Sequence, residues 1–244
     1  VQTAPAPQNN NQLLARLDWN KGRHTIDGRY HFTQASAIQY VGQVPSYLTV
    51  NARTRGQNAT IGDTFTISAS VLNQFRISFN RIAAVSDSDN TFALSDLGGT
   101  LPLFGPRLPP AITVAGRVVL SNNSPTVPGR ANDSFQISDS VSIAKGSHTV
   151  KTGVELFRTR LVQYSAVNTM GVFQFGGQIT GVSAADFLIG RPTSMNIGSP
   201  VREQGGNQNS MYFFVHDDWK VTSRLSLNLG LRWDMDTPRI KRFD

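Results

Sequence analysis

An all-β fold of antiparallel, up-and-down strands is what this 244-residue sequence predicts, and three observations predict it. Apolar and polar residues alternate at period two through most of the chain, as in strands with one greasy and one polar face. The alternating segments come in pairs joined by tight turns, and long polar connections separate the pairs. The segments are long, about 9–13 residues against the 5–6 usual in soluble sheets. Alternating short turns and long loops on such strands fit a partial transmembrane barrel, with the turns periplasmic and the loops extracellular, where a tilted strand needs about 9–11 residues to cross the hydrocarbon.

The first segment, 13–20, sets Leu13, Ala15, Leu17 and Trp19 against Arg16 and Asp18. Lys21 and Gly22 make a turn, and 24–32 follows with Ile26, Tyr30 and Phe32 opposite Asp27, Arg29 and His31. A polar connection spans residues 35–57. Segment 59–70 faces Ile61, Phe65, Ile67 and Ala69 one way and Thr60, Thr64, Thr66 and Ser68 the other. After a turn at Leu72 and Asn73, Phe75, Ile77, Phe79, Ala83 and Val85 share a face that Arg81 interrupts. A lipid-facing arginine costs about 2–4 kcal/mol at the bilayer midplane and little at the interface, so Arg81 is expected at the outer rim or beside a bulge at Asn80.

Residues 87–132 form a second long connection. Segment 134–145 alternates Phe135, Ile137, Val141 and Ile143 with serines and Gln136, turns at Gly146 and Ser147, and returns with Val150, Val154 and Leu156 opposite Lys151, Glu155 and Thr159. A third connection covers 164–209. Within it SAADFLIGRP reads as a short helix capped by Ser183 and stopped by Gly190 to Pro192. The last pair, 212–234, turns at Val221 to Ser223 and alternates Leu225, Leu227, Leu229, Leu231 and Trp233 with Ser226, Asn228, Gly230, Arg232 and Asp234.

Charged residues make up only 16% of the chain, and there is no cysteine, which excludes disulfides, thiol catalysis and cysteine-based metal centres. The mean hydropathy of -0.23 comes from neutral polar residues. The formal charge of +7 is scattered singly along the chain, without the basic run that nucleic acid requires, so no nucleic-acid partner is expected. The start, VQTAPAPQNNNQ, shows no secretory signal; residues 1–11 read as a disordered or loop lead-in to a single domain. No apolar run approaches the length of a spanning helix.

Residues 212–234, YFFVHDDWKVTSRLSLNLGLRWD, resemble a hairpin that recurs in the barrel of TonB-dependent outer-membrane receptors of the Oar-like group, which carry a carboxypeptidase-regulatory-like domain. The matching residues are Asp217, Asp218, Trp219, Lys220 and Val221, then Leu225 to Trp233, with His216 and Ser226 departing from the pattern. NNQLLARLDWN, KGSHTVKTGVELFR and ADFLIGRP resemble further segments of that barrel in the same order. The resemblance implies a bacterial outer-membrane location, a plug domain, the TonB energy-coupling protein as partner, and uptake of a large or scarce nutrient of unspecified identity. It places outer-membrane lipid and lipopolysaccharide around the wall. Such barrels have about 22 strands, so eight strands, with no plug and no final aromatic-ended strand in PRIKRFD, read as an interior piece.

No catalytic constellation or cofactor fingerprint is present, so no enzymatic activity and no cofactor are expected. His24, His31, His148 and His216 lie on different strands without ligand spacing, and SDSDN at 86–90 lacks the glycine and distal glutamate of a calcium loop; no metal is expected. Asp217 and Asp218 point to opposite faces. Sequons at Asn58 and Asn132 are incidental in a bacterial protein. Asp27, Arg29, Arg76, Lys151, Glu155, Arg232 and Asp234 are candidates for a polar wall facing the lumen, either as a transport path or as cross-strand pairs that keep the wall solvated. Trp19, Tyr30, Phe32, Tyr212, Trp219 and Trp233 are candidates for interfacial aromatic girdles, although aromatics favour strands in any case. Two alternatives stand beside the receptor: a soluble or secreted β-sandwich acting as a carbohydrate-binding or adhesin module, and a small self-contained outer-membrane barrel.

Overall fold

The computed structural model describes residues 6–40, 49–88, 93–101, 109–120, 129–165, 168, 170–198 and 202–241. Eight long strands run in order through one antiparallel sheet: β1 (Gln8–Lys21), β2 (His24–Tyr40), β3 (Thr49–Ser68), β4 (Val71–Ser88), β7 (Arg130–Lys145), β8 (His148–Ser165), β11 (Arg202–Lys220) and β12 (Ser226–Asp236). Each pairs with the next, and β1 and β12 are its edges. A two-residue β13 (Ile240–Lys241) resumes the ladder on β11 after Thr237, Pro238 and Arg239 bulge out. Pro238 has no N–H to give the ladder, so the interruption falls there.

The turns lie at one end. Gly22 and Gly146 each take φ near +60°, the left-handed conformation a two-residue hairpin demands and glycine adopts without strain. The β3–β4 turn falls at Ala69 and Ser70, so the expected turn residues Leu72 and Asn73 belong to β4. A bulge at Ile67 absorbs one residue of register, and the Ser70 N–H donates to Ser68 Oγ, 3.3 Å away, to close the turn. Serine chemistry, not the asparagine, sets this corner.

The strands outrun the sequence reading, with lengths of 11 to 20 residues. Most of the expected connection at 35–57 is strand, because β2 continues to Tyr40 and β3 begins at Thr49. Pro45 lies outside the described residues. Residues 202–210 likewise belong to β11, and residues 8–11 of the expected lead-in belong to β1. These extensions lack the apolar alternation of the strand centres, and polar cross-strand contacts such as Arg53–Asp87 and Arg55–Gln34 join the backbone ladder there.

Register fixes the tilt. Trp19, Ile26, Asp63, Phe75, Asp139, Val154, Phe213 and Trp233 are successive partners across all eight strands. Trp19 stands three residues before the turn residue Gly22, and Trp233 stands eleven after Thr222. The row thus gains eight residues over seven strand spacings, a slope of about 38° for a rise of about 3.3 Å and a spacing of about 4.8 Å. Barrel strands tilt by about 35–45°.

The two long connections between hairpins fold together. Within them β5 (Ala111–Val114), β6 (Val118–Leu120), β9 (Val172–Phe175) and β10 (Ser194–Asn196) form a second sheet in the order β10-β9-β5-β6, with β5 and β9 parallel. The expected helix is present as α1 (Ser183–Leu188), but its N-cap is Val182. Ser183 is the first helical residue, and its hydroxyl donates to Ala115 O at 2.8 Å, tying the helix to the β5–β6 turn. Val114 and Phe175, 3% and 6% exposed, form the centre of this small unit, with Phe187 edge-on to Phe175 at 5.2 Å.

Candidate functional site

Pairing partners in an antiparallel sheet share a face, so the register sorts every wall residue. One face carries Leu17, Ile61, Ile77, Ile137, Leu156, Phe213 and Leu231, all exposed, with Leu17 and Leu231 above 70%. Among the described residues no second sheet covers it, and Leu227, Leu229 and Ile67 are exposed while Phe65, Phe79 and Val141 are half-exposed. The sandwich alternative requires these side chains buried between facing sheets. On β4 the apolar stretch between Asn73 and Arg81 spans eight residue steps, about 20 Å along the membrane normal at this tilt, close to the band of about 25 Å on outer-membrane barrels.

The other face is concave: one hollow of about 250 Å³ is lined from β2, β3, β4, β7, β8 and β11. A single row crosses it, Asp18–Asp27–Gly62–Arg76–Ser138–Glu155–Tyr212–Asp234, each the register partner of the next. Arg29 sits one inward position along from Asp27, opposite Arg16. Lys151 lines the hollow with Glu155, and Arg232 is the partner of Phe214. All seven candidate polar-wall residues therefore share this face.

They are largely paired. Arg76 approaches Asp27 at 3.9 Å from two strands away. The intervening residue is Gly62, where an added Cβ would stand 2.8 Å from the Asp27 carboxylate and 3.4 Å from Arg76; the missing side chain lets the pair close over the middle strand. Arg232 reaches Asp234 at 2.7 Å and Glu155 at 3.9 Å, and lies 4.9 Å over the Tyr212 ring. Partly exposed pairs of this kind contribute about 0–1 kcal/mol each. They neutralise the wall more than they hold it. Phe214 packs over Gly153 in the same way, its ring 2.8 Å from where a Cβ would be.

Of the six candidate girdle aromatics, Trp19, Tyr30, Phe32, Trp219 and Trp233 share the apolar face. Tyr212 does not: it lies in the concave row, and its hydroxyl donates to Asp236 at 3.3 Å. Neighbouring Phe213 takes the outward place, 5.6 Å from Trp233. In the FF and YFF runs parity could not be read from hydrophobicity alone.

The turn end of the apolar face carries a module that occurs twice. His24 Nδ1 lies 2.8 Å from Asp63 Oδ2 and its ring stacks on Phe65 at 4.3 Å. His148 Nδ1 lies 2.7 Å from Asp217 Oδ2 and its ring stacks on Trp219 at 5.2 Å. Both histidines follow a Lys-Gly-X turn, and Asn73 Nδ2 donates to Asp139 at 2.6 Å between them. The pairs accommodate three carboxylates at the edge of the belt. Asp218, adjacent to Asp217, faces the concave side and meets His216 at 3.0 Å.

Arg81 stands at the opposite edge of the belt, eleven residues beyond the turn residue Ser70, and its Nη1 lies 3.2 Å from buried Asp133. Cross-strand pairing settles the interruption without a bulge, for Asn80 remains in register with Asn58. In the loop unit Asp186 is fully buried. It accepts from the Thr180 hydroxyl at 2.7 Å, the Thr180 N–H at 2.9 Å and the Ile179 N–H at 3.3 Å. The Thr180 hydroxyl bond, more than the backbone bonds, holds the carboxyl below the ordinary aspartate value against the opposing effect of burial. Among the described residues no three His, Cys, Asp or Glu side chains gather where a metal ion could be held. Within the SDSDN stretch Asp87 bonds to Arg53, and residues 89 and 90 lie outside the described residues.

A long, tilted, one-layer sheet with an exposed apolar outer face and a charged concave inner face is the wall of a transmembrane β-barrel. Residues 1–244 match the outer membrane beta barrel domain model, and the chain belongs to that family and resides in the bacterial outer membrane. No curated protein matches the chain. Among solved structures, the outer membrane transporter YddB from Escherichia coli is similar over 95% of this chain with a TM-score of 0.52 and 12% identity. The match covers 28% of that transporter's chain.

Proposed function

We propose that this chain forms wall and extracellular loops of a TonB-dependent outer-membrane receptor of the Oar-like group that takes up a large or scarce nutrient. The observation that carries the reading is the concave charged row, which crosses all eight strands and ends at two edges unpaired among the described residues, so that further strands would close it around a lumen. Its working partners are then a plug domain within that lumen, the TonB protein, and phospholipid and lipopolysaccharide outside. The resemblance of the last hairpin and of three earlier segments supports the same assignment, as does the likeness to one part of an outer-membrane transporter's chain. On this reading the chain has no catalytic task, and the loop unit meets the ligand first. A self-contained eight-stranded barrel requires β1 to pair with β12, and these are the sheet's edges.

The test is growth on a scarce nutrient, such as a ferric chelate or an oligosaccharide, for which the intact protein is required. Loss of that growth when the energy-coupling protein is deleted is the expected outcome. Unchanged uptake in that strain would leave a passive pore and remove the receptor reading.

A further inference from the structure

We propose that an arginine-lined hollow on the lipid-facing side of the wall holds the phosphate of a phosphorylated lipid in the outward leaflet. The hollow, of about 370 Å³, is lined by Arg53, Arg55 and Arg81 with Gln34 and Gln57 between them. These five side chains share the face of the apolar belt, as their register through Phe32, Gln57 and Arg81 requires. They begin where the belt stops, just past the Phe79–Phe135 contact at 4.9 Å.

Charge at this place is far from balanced. Arg158 and Arg160 join the same face from β8, through their partners Phe135 and Asp133. Against these five cations stand two carboxylates among the described residues, Asp87 bonded to Arg53 and Asp133 bonded to Arg81. Among the described residues Arg55 reaches only the neutral Gln34 Oε1, at 3.1 Å, and lies 5.8 Å over the Phe32 ring. Among the described residues Arg160 Nε is buried without a hydrogen-bond partner. A guanidinium presents a rigid fork that matches phosphate oxygens two at a time, and in a low-dielectric border such bonds are stronger than in water. An uncompensated group of arginines facing lipid therefore calls for an anion that itself sits at the headgroup level. The belt below supplies the surface for that lipid's chains, through Phe79 and Phe135, which a free anion would leave unused. Short turns on the periplasmic side put the Arg81 end at the outer leaflet. The proposal rests on that orientation and on the membrane location, and it is independent of nutrient uptake.

The experiment is native mass spectrometry of the intact protein in mild detergent, with added diphosphoryl lipid A, fully dephosphorylated lipid A, or inorganic phosphate. The wild type is expected to retain the diphosphoryl form about tenfold better than the dephosphorylated one, the size of one charge-assisted hydrogen bond. R55Q combined with R158Q removes exposed cations without unpairing a buried carboxylate, and lowers retention to the dephosphorylated level. R81K keeps a partner for Asp133 and gives an intermediate value. K145Q, at the turn end, leaves retention unchanged. Equal retention of both lipid forms by the wild type, or full retention by the double variant, overturns the proposal. So does displacement of the lipid by millimolar inorganic phosphate, which would make the hollow a site for the free anion.

Discussion

The wall and the small loop unit solve the same problem in opposite ways. The loop unit buries Val114, Phe175 and a fully hydrogen-bonded Asp186 within a four-stranded sheet and one short helix. The wall is much larger, yet of its described residues only Val50, near the loop end, is a buried hydrophobic. Its apolar side chains point out on a face without a covering layer. A soluble domain of that construction would aggregate; in lipid the face is already in its preferred solvent. Which residues count as core therefore depends on the medium, and one chain holds both kinds.

The largest expected effect breaks the loop unit alone. F175A removes a buried ring and is expected to destabilise that unit by about 3–5 kcal/mol. Hydrogen exchange should show α1 and β9 opening while β3 and β4 keep their protection; simultaneous loss in the wall would mean the two fold as one. Next comes the wall. I77K puts a cation on the middle of the apolar belt and is expected to cost about 2–4 kcal/mol of stability in lipid, whereas S78K, one residue on and facing the concave side, is expected to change it little. Denaturant titration of the intact protein in vesicles compares them, and equal costs would sink the assignment of faces.

Acid sharpens the contrast further. The folded value of Asp186 lies below its unfolded value near 3.8, so its contribution is fully present above that value and is lost as pH falls through the lower, folded value. The loop unit is expected to lose stability in acid in the wild type and to lose that pH dependence in D186N, with hydrogen-exchange protection of α1 as the readout. The smallest effect is D27N, which breaks the 3.9 Å pair with Arg76. A cost of about 0–1 kcal/mol is expected for a partly exposed pair, and a much larger one would give the row a structural role that its geometry does not support.

The faces of the wall were legible in the sequence wherever the alternation was strict. Leu225 to Asp234 could be assigned residue by residue, because a sheet of period two leaves each side chain one choice; in 135–142 the alternation held except at Asp139, which register places on the apolar face. Runs of like residues were not legible: in Tyr212, Phe213 and Phe214 only pairing with Glu155, Val154 and Gly153 decides which ring turns inward. Strand ends were missed for a related reason, since 33–40 and 202–210 carry no solvent asymmetry to mark them. The glycines that admit Arg76 and Phe214 across a middle strand look in sequence like any others. The arginine group at the belt's edge was visible only as Arg81, because its members come from three strands.

By itself, then, the sequence determined the strand periodicity, the pairing into hairpins, three of the four tight turns and the greasy face, all of which follow from local alternation and turn chemistry. Tertiary structure decided the tilt, the concavity, the ion pairs over Gly62, and the union of two distant loops into one small sheet. Each of these depends on register between strands up to dozens of residues apart, and register is a property of pairing that no single segment contains.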